Sequence, residues 1–439
     1  MRLPRRTLAL YAAPALPLSL LGLPLTVMLP VFWAGPMGLP LATVGATMTA
    51  VRLLDTVFDP LVGRVSDRLR PRMGRRKAVI LAALPLASAG VLGLFFPPRG
   101  AGAAWLFVFY GLTSWGWTMI SLPYWSWGAE LSPDYAERAR ITLWREAGTM
   151  LGILLSATIP ALLAPATAAG GLAPLAGLAL GLGAPAILAA LRFVPEPAPP
   201  AVAEESGLLA ALRAAGANAP FRRLVAAWAV NSLANGMTAA LFLLVCASIL
   251  RRPAAAGPLL LAYFLAAVVC VPLWGALARH WGKHRAWSAG LLWAAGAFAF
   301  VPLVGPGEVG RFLLISVATG AALGADFALP PAIQADVLDL DRLESGEGRA
   351  GLYFAAWTMA QKAGNALAVG IAFPVLQVAG FHIAGANRPG ARAMLLVLYC
   401  AVPVALKLAT AALMWRFPLD AAAQARLRDE IALRAEPAR

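Results

Sequence analysis

Charge is what this sequence has least of. Asp, Glu, Lys and Arg make up 13% of its 439 residues, where a soluble globular protein carries about 25%. That is too little to cover a water-facing surface of this size. Histidine is scarcer still, at three residues, so an all-protein zinc site would have to draw on carboxylates, and none is grouped that way. The three cysteines, Cys246, Cys270 and Cys400, all lie inside apolar runs, which excludes a secreted disulfide scaffold. The chain has no P-loop, no G-x-S-x-G and no H-E-x-x-H. Nucleotide-driven pumping and the common hydrolases lose their machinery. No Ser–His or Cys–His arrangement falls inside an apolar run, and the sequence does not read as an enzyme.

Apolar residues are what remains: 60% of the chain, with mean hydropathy +0.73. A membrane-spanning helix takes about 20 of them. Twelve such runs fit, the first near 8–33, the second near 40–66, the fifth near 140–166, the tenth near 310–338 and the last near 392–415. The first run follows the basic start MRLPRR and imitates a signal peptide, but no short polar loop with a small-residue cleavage site follows it. It reads as a span. The expected fold is an all-α membrane protein of twelve transmembrane helices. Residues 1–194 form an N-terminal six-helix bundle, 195–221 a cytoplasmic linker, 222–416 a C-terminal six-helix bundle and 417–439 a cytoplasmic tail. A short surface helix is expected over Glu204 to Ala214.

The net charge of +15 is explained by where the basic residues sit. Arg5, Arg6, Arg75, Arg76, Lys77, Arg222, Arg223, Lys283, Arg285 and Arg416 flank apolar runs on what becomes one side. This positive-inside pattern puts both termini in the cytoplasm. The basic excess therefore marks topology and a lipid bilayer partner, not nucleic acid. An internal repeat agrees: Gly63 to Gly74 followed by Arg-Arg-Lys after the second run is echoed by Gly275 to Gly282 followed by Lys-His-Arg after the eighth. Two halves related by duplication would give that spacing.

Ionisable groups inside a span cost at least a few kcal/mol and are candidates for function. Asp55 and Asp59 are four apart in VRLLDTVFDPLVG, so on a helix they share a face with Cβ atoms about 5–6 Å apart. Two carboxylates that close repel unless a proton or cation lies between them. Packing ion pairs with an interhelical Arg or Lys are the alternative. Lys362 stands mid-span in the eleventh run at the depth of Asp55, and Asp326 falls mid-span in the tenth. Asp326 is expected to join the charge network of Asp55, Asp59 and Lys362; the alternative is a neutral Asp326 facing one helix partner. Lys407 is expected to reach toward the interface. His280 and His284 read as a solvated basic loop, and Glu130, Glu137 and Arg138 as cytoplasmic interhelical ion pairs. Asp67 lies about two turns below Asp59, at the cytoplasmic helix end, where it would pair with basic residues.

Three stretches, VRLLDTVFDPLVGRVSDRLRPRMGRRK, TMISLPYWSWGAELSPDYAERARITLWREAG and ADVLDLDRLESGEGRAGLYFAAWTMAQKAGNA, resemble one family. It is the melibiose-permease-like glycoside–pentoside–hexuronide:cation symporters, within the major facilitator superfamily. The resemblance implies that Asp55 and Asp59 bind the coupling Na⁺ or H⁺ and that Thr118 helps hold Na⁺. It places Ser121 at the position of a fourth-helix acid and Ser19 at that of a sugar-binding first-helix acid. Lys362 matches a lysine near the cation site, Trp125 a tryptophan that stacks on the sugar, and Arg145 a fifth-helix arginine. Tyr124 and Thr358 complete the substrate-side candidates. Asp336, Asp339 and Arg349 match cytoplasmic closing charges, with Asp67 as a further gate residue.

The expectation is a monomeric secondary transporter in a bacterial inner membrane, without cofactor, that couples Na⁺ or H⁺ to a small, sugar-like solute. With both sugar-binding acids replaced by serine, a lysophospholipid or other amphiphile is an alternative substrate. A non-transporting assembly protein on a transporter fold is the remaining alternative.

Overall fold

The structure is a computed structural model that describes residues 3–68, 73–132, 135–163, 172–196, 216, 218–345, 350–383, 385 and 387–419. The helix expected over Glu204 to Ala214 lies outside them, as does most of the tail. The described residues hold twelve long helical segments and no strand. They are α1 (Arg5–Ala34), α2 (Leu41–Arg68), α3 (Arg75–Phe95), α4 (Ala103–Glu130), α5 (Tyr135–Leu163) and α6 (Leu172–Phe193), then α7 (Ala219–Ser248), α8 (Ala256–Trp281), α9 (Lys283–Phe298), α10 (Val309–Ser345), α11 (Ala350–Val378) and α12 (Pro389–Trp415). Eight are long and apolar enough to cross a membrane on composition alone. The other four, α2, α4, α5 and α11, are the helices that carry most of the candidate site residues. The polar cargo itself dilutes their hydropathy.

Helix ends depart from the hydropathy reading where a helix continues past its apolar run. α10 extends to Ser345, beyond the expected edge at 338, because its last turns are polar and remain helical. α5 begins at Tyr135 rather than near 140 for the same reason.

Two compact units make up the chain. One comprises Met1–Ala201, Ala239–Leu261 and Ala366–Leu395, the other Val202–Thr238, Ala262–Asn365 and Leu396–Arg439. The first has a core of Leu8, Tyr11, Ile80, Ile120, Tyr124 and Trp127. The second is built around Trp228, Trp274, Trp287, Tyr353 and Trp357.

In lipid every backbone polar group must be satisfied within the protein, so proline has consequences. α1 is interrupted by a π-helical turn at Pro24–Met28. Pro24 has no N–H to give the carbonyl of Leu20 one turn earlier. The buried Ser156 hydroxyl of α5 donates to that carbonyl instead, at 2.8 Å. α12 carries a matching π-turn at Val397–Ala401 just before Pro403.

The two repeated motifs take the same local form. Gly74 and Gly282 immediately precede α3 and α9 with φ of 100° and 85°, a region that glycine enters without steric cost. After Gly74, the Glu196 carboxylate accepts from the backbone N–H of Arg76 at 2.9 Å and caps the first turn of α3. Arg75 and Arg76 both donate to Glu130 at the end of α4, at 2.8 and 2.7 Å. After Gly282, Lys283 pairs with Asp336 near the end of α10 at 2.7 Å. In each half, a basic residue behind a left-handed glycine is held by an acid on the half's fourth helix.

Candidate functional site

α2 and α4 run in the same direction and are held in register by polar and aromatic contacts. Arg52 donates to the Tyr110 hydroxyl at 2.6 Å, and Phe58 stacks on Trp115 with ring centroids 5.2 Å apart. One and two turns along from Arg52, Asp55 and Asp59 meet Thr118. The Thr118 hydroxyl lies 3.2 Å from one Asp55 oxygen and 3.1 Å from one Asp59 oxygen. A hydroxyl has one proton and can donate to only one of them at a time. Asp55 is 6% exposed and Thr118 is buried, whereas Asp59 is half-buried. The arrangement brings two carboxylates and one hydroxyl oxygen around one point, an all-oxygen donor set of the hard-cation type. Among the described residues no group of three His, Cys, Asp or Glu side chains gathers to hold a metal ion.

Ser121, one turn beyond Thr118, is buried on α4. Lys362 is half-buried on α11, in the other compact unit.

The substrate-side candidates do not behave alike. Trp125 is 42% exposed, so its ring is available for stacking. Tyr124, its neighbour, is committed to the fold. Its hydroxyl donates to the Tyr11 carbonyl at 2.7 Å, while the Tyr11 hydroxyl donates back to the Tyr124 carbonyl at 3.1 Å. The Ser19 hydroxyl donates within its own helix to Ala15 and Leu16 carbonyls at 2.9 and 3.0 Å. Thr358 does the same toward Phe354 at 3.0 Å. Arg145 is ion-paired to adjacent Glu146 at 2.7 Å, a partner the sequence reading did not supply.

Of the gate candidates, Asp336 is buried and paired with Lys283, and Asp339 is exposed. The Asp67 side chain and Arg349 lie outside the described residues. Glu130 makes interhelical pairs as expected. Glu137 instead pairs with Arg140 three residues along its own helix, and Arg138 donates to the Ser132 carbonyl. His284 is not solvated: it is buried in the first turn of α9, beside Phe417.

Asp326 has different company from that expected. Among the described residues its partners are Asn231 and Asn235 of α7, whose amide groups each donate to its Oδ2 at 3.0 Å, and Trp287 of α9, which donates to Oδ1 at 2.7 Å. Lys362 is not one of them. Lys407 of α12, expected near the interface, is 4% exposed and turned inward, where it donates to the Oδ1 atoms of Asn231 and Asn235 at 3.2 and 2.9 Å. Counting residues to the helix end gave its depth but not its face. The sequence reading missed Asn231 and Asn235, although their spacing of four inside an apolar run is the same signal that found the acids of α2.

The all-helical fold, together with the family match and the relatives that follow, is that of a multi-pass membrane transporter of the secondary, symporting class and not that of an enzyme. The sequence matches the family described as MFS/sugar transport protein over residues 10–421, and the chain belongs to that family. It is 24% identical to an uncharacterized symporter of Synechocystis sp., over 78% of this chain and 80% of the relative. It is also 24% identical to the human sodium-dependent lysophosphatidylcholine symporter 1, over 84% and 75%. Identity with the Escherichia coli inner membrane symporter YicJ is 30%, over 28% of each chain. Among solved structures, a point mutant of the nucleoside transporter NupG shares the fold with TM-score 0.69 at 14% identity, covering 93% of this chain and 99% of that one.

Proposed function

We propose that the coupling cation, Na⁺ or H⁺, binds at Asp55 and Asp59 with Thr118 as a third oxygen, and drives transport of a small, sugar-like organic solute. One observation carries the reading: a single hydroxyl poised 3.2 and 3.1 Å from two carboxylates on one helical face. A bound cation cancels the repulsion between them. The halves 1–194 and 222–416 then alternate access to the solute while both are loaded. A cation moving down the membrane potential supplies about 2.3 kcal/mol per 100 mV. Ser121 lines the cation side and Trp125 stacks on the solute. Arg145 supports the solute side, Lys362 is the mid-span positive charge, and Asp67, Asp336, Asp339 and Arg349 close the cytoplasmic side. The protein works as a monomer in a bacterial inner membrane, with both termini cytoplasmic.

A second reading, an amphiphilic solute such as a lysophospholipid, is favoured by Ser19. That position holds no carboxylate for sugar hydroxyls, and its own hydroxyl is spent inside α1.

The test is uptake by purified protein in proteoliposomes. A panel of sugars and lysophospholipids is offered with a Na⁺ gradient, with a pH gradient and with neither. Accumulation of one solute class under one gradient is expected, and Asp55→Asn or Asp59→Asn should abolish it in folded protein. Accumulation at wild-type coupling in either variant would remove the cation from these acids.

A further inference from the structure

The polar cluster of the second unit has a construction that packing alone does not require. Asp326 and Lys407 are both buried, at 6% and 4% exposure, yet they meet through intermediaries rather than directly. Each of two carboxamides stands between them. The oxygens of Asn231 and Asn235 accept from the Lys407 ammonium, and their nitrogens donate to Oδ2 of Asp326. Oδ1 is held separately by Trp287, which is fully buried on α9. Burying an acid and a base costs several kcal/mol per ion, and well-packed apolar residues would serve stability as well or better. In a membrane interior, linked ionisable groups of this kind mark proton or ion pathways.

The placement of the two amides decides what the cluster can do. Both lie on α7, one turn apart, whereas the acid, the indole and the base come from α10, α9 and α12. A shift of α7 removes both bridges at once. Oδ2 of Asp326 would then lose its two donors while Oδ1 keeps the indole of Trp287. Asn235 is half-buried, and it is the most exposed residue of the five.

We propose that the cluster is a second ion-binding site, specific for a proton, which attaches to Oδ2 of Asp326 when the α7 amides withdraw. The proton comes from water and adds to the carboxylate. Lys407 keeps its own, so the cluster passes from net zero to one positive charge. Return of the amides expels the proton.

The other titratable or charged groups on the helices around the site are few. α8 contributes Tyr263, which lies within electrostatic reach of Asp326, Cys270 and, in its last turn, Arg279 and His280. α9 contributes Lys283, His284 and Arg285 in its first turn, the first of them paired with Asp336 of α10. α11, which crosses α7 closely at Gly364, contributes Lys362 and Tyr353, whose hydroxyl donates to Asp341 of α10 at 2.8 Å. α7 itself adds Arg222 and Arg223 in its first turn, where they donate to the carbonyls of Gly216 and Arg416 at 2.8 and 2.9 Å.

The experiment is an infrared titration of the full chain in lipid vesicles, reading the C=O band of protonated carboxyl groups as pH falls from neutral. It needs no transported solute, so its outcome is independent of the cation site proposed on α2. Wild type, Asp55→Asn and Asp59→Asn should all show a band that is absent from Asp326→Asn, a loss of one protonatable carboxyl per chain. Asp326→Asn leaves Lys407 as a lone buried charge. If that variant does not fold, Asp326→Asn/Lys407→Gln, which buries no charge, is read in its place and should show the same loss. A band set unchanged in the Asp326 variant, single or double, would overturn the proposal and leave the cluster a structural tie.

Discussion

The two buried polar clusters use aspartate in opposite ways. Asp55 and Asp59 bring two carboxylates to one shared hydroxyl, that of Thr118. Asp326, Asn231, Asn235, Trp287 and Lys407 form a set with no net charge, in which each carboxylate oxygen has its own donors. Two carboxylates drawn to one point favour a proton or a cation beside them. A balanced set closes on itself and holds helices together until something separates them. Intramembrane acids therefore have to be judged by the donors that neighbouring helices bring, since the residue type is the same in both places.

The largest effect should come from breaking the balance of the second set. Asp326→Asn or Lys407→Gln alone leaves an uncompensated buried charge and should cost about 3–5 kcal/mol in thermal or denaturant unfolding. The double variant should lose less than the sum, with a coupling of about 1–3 kcal/mol. Strict additivity would mean that the amides do not transmit the charge interaction.

In the first set, Thr118→Ala removes the hydroxyl and keeps both acids. Cation affinity, measured by the concentration that half-activates uptake, should fall about 10- to 100-fold, with thermal stability nearly unchanged. A stability loss with unaltered cation affinity would make Thr118 a packing residue.

The two matched helix-end ion pairs should behave alike rather than oppositely. Glu130→Gln releases Arg75 and Arg76, and Asp336→Asn releases Lys283. Each should cost about 1–2 kcal/mol in thermal unfolding and slow turnover more than it weakens solute affinity. A large effect from one and none from the other would break the correspondence between the halves.

The smallest effect concerns a loop outside the spans. The Glu308 carboxyl is held below the usual carboxylate range, first by the backbone N–H of Gly305 and then by Arg311. A depressed folded-state value means that the local stabilisation is present above the ordinary carboxylate pKa of about 4.3 and is lost as pH falls through the folded value. The protection of the Gly305 amide, its exchange relative to the intrinsic rate at each pH, should fall on acidification in wild type. In Glu308→Gln it should be low throughout and lack that dependence.

Most of the architecture was legible in the sequence because lipid imposes a simple rule on it. Runs of about 20 apolar residues separated by basic turns located all twelve helices, with misses at helix ends, as in α10, where polar turns remain helical. Asp55 and Asp59 were legible because charge in an apolar run is conspicuous and a spacing of four fixes a shared face. Thr118 came from family resemblance, since a threonine in a span has no signature of its own. The partners of Asp326 were not legible. Asparagine carries no charge, and the contact of Lys407 with α7 depends on which helices the fold makes neighbours. Tyr124 misled in the other direction: an aromatic beside Trp125 resembles a ligand platform until its hydroxyl is found bonded to Tyr11.

The central assignment is that a cation on Asp55 and Asp59 couples its gradient to the solute. It is tested most directly by measuring exchange and accumulation of one solute in the same proteoliposomes carrying Asp59→Asn. Exchange needs only binding and the conformational change, whereas accumulation also needs the cation. Retained exchange with accumulation reduced to background is the expected result. Accumulation at the wild-type level would contradict the assignment.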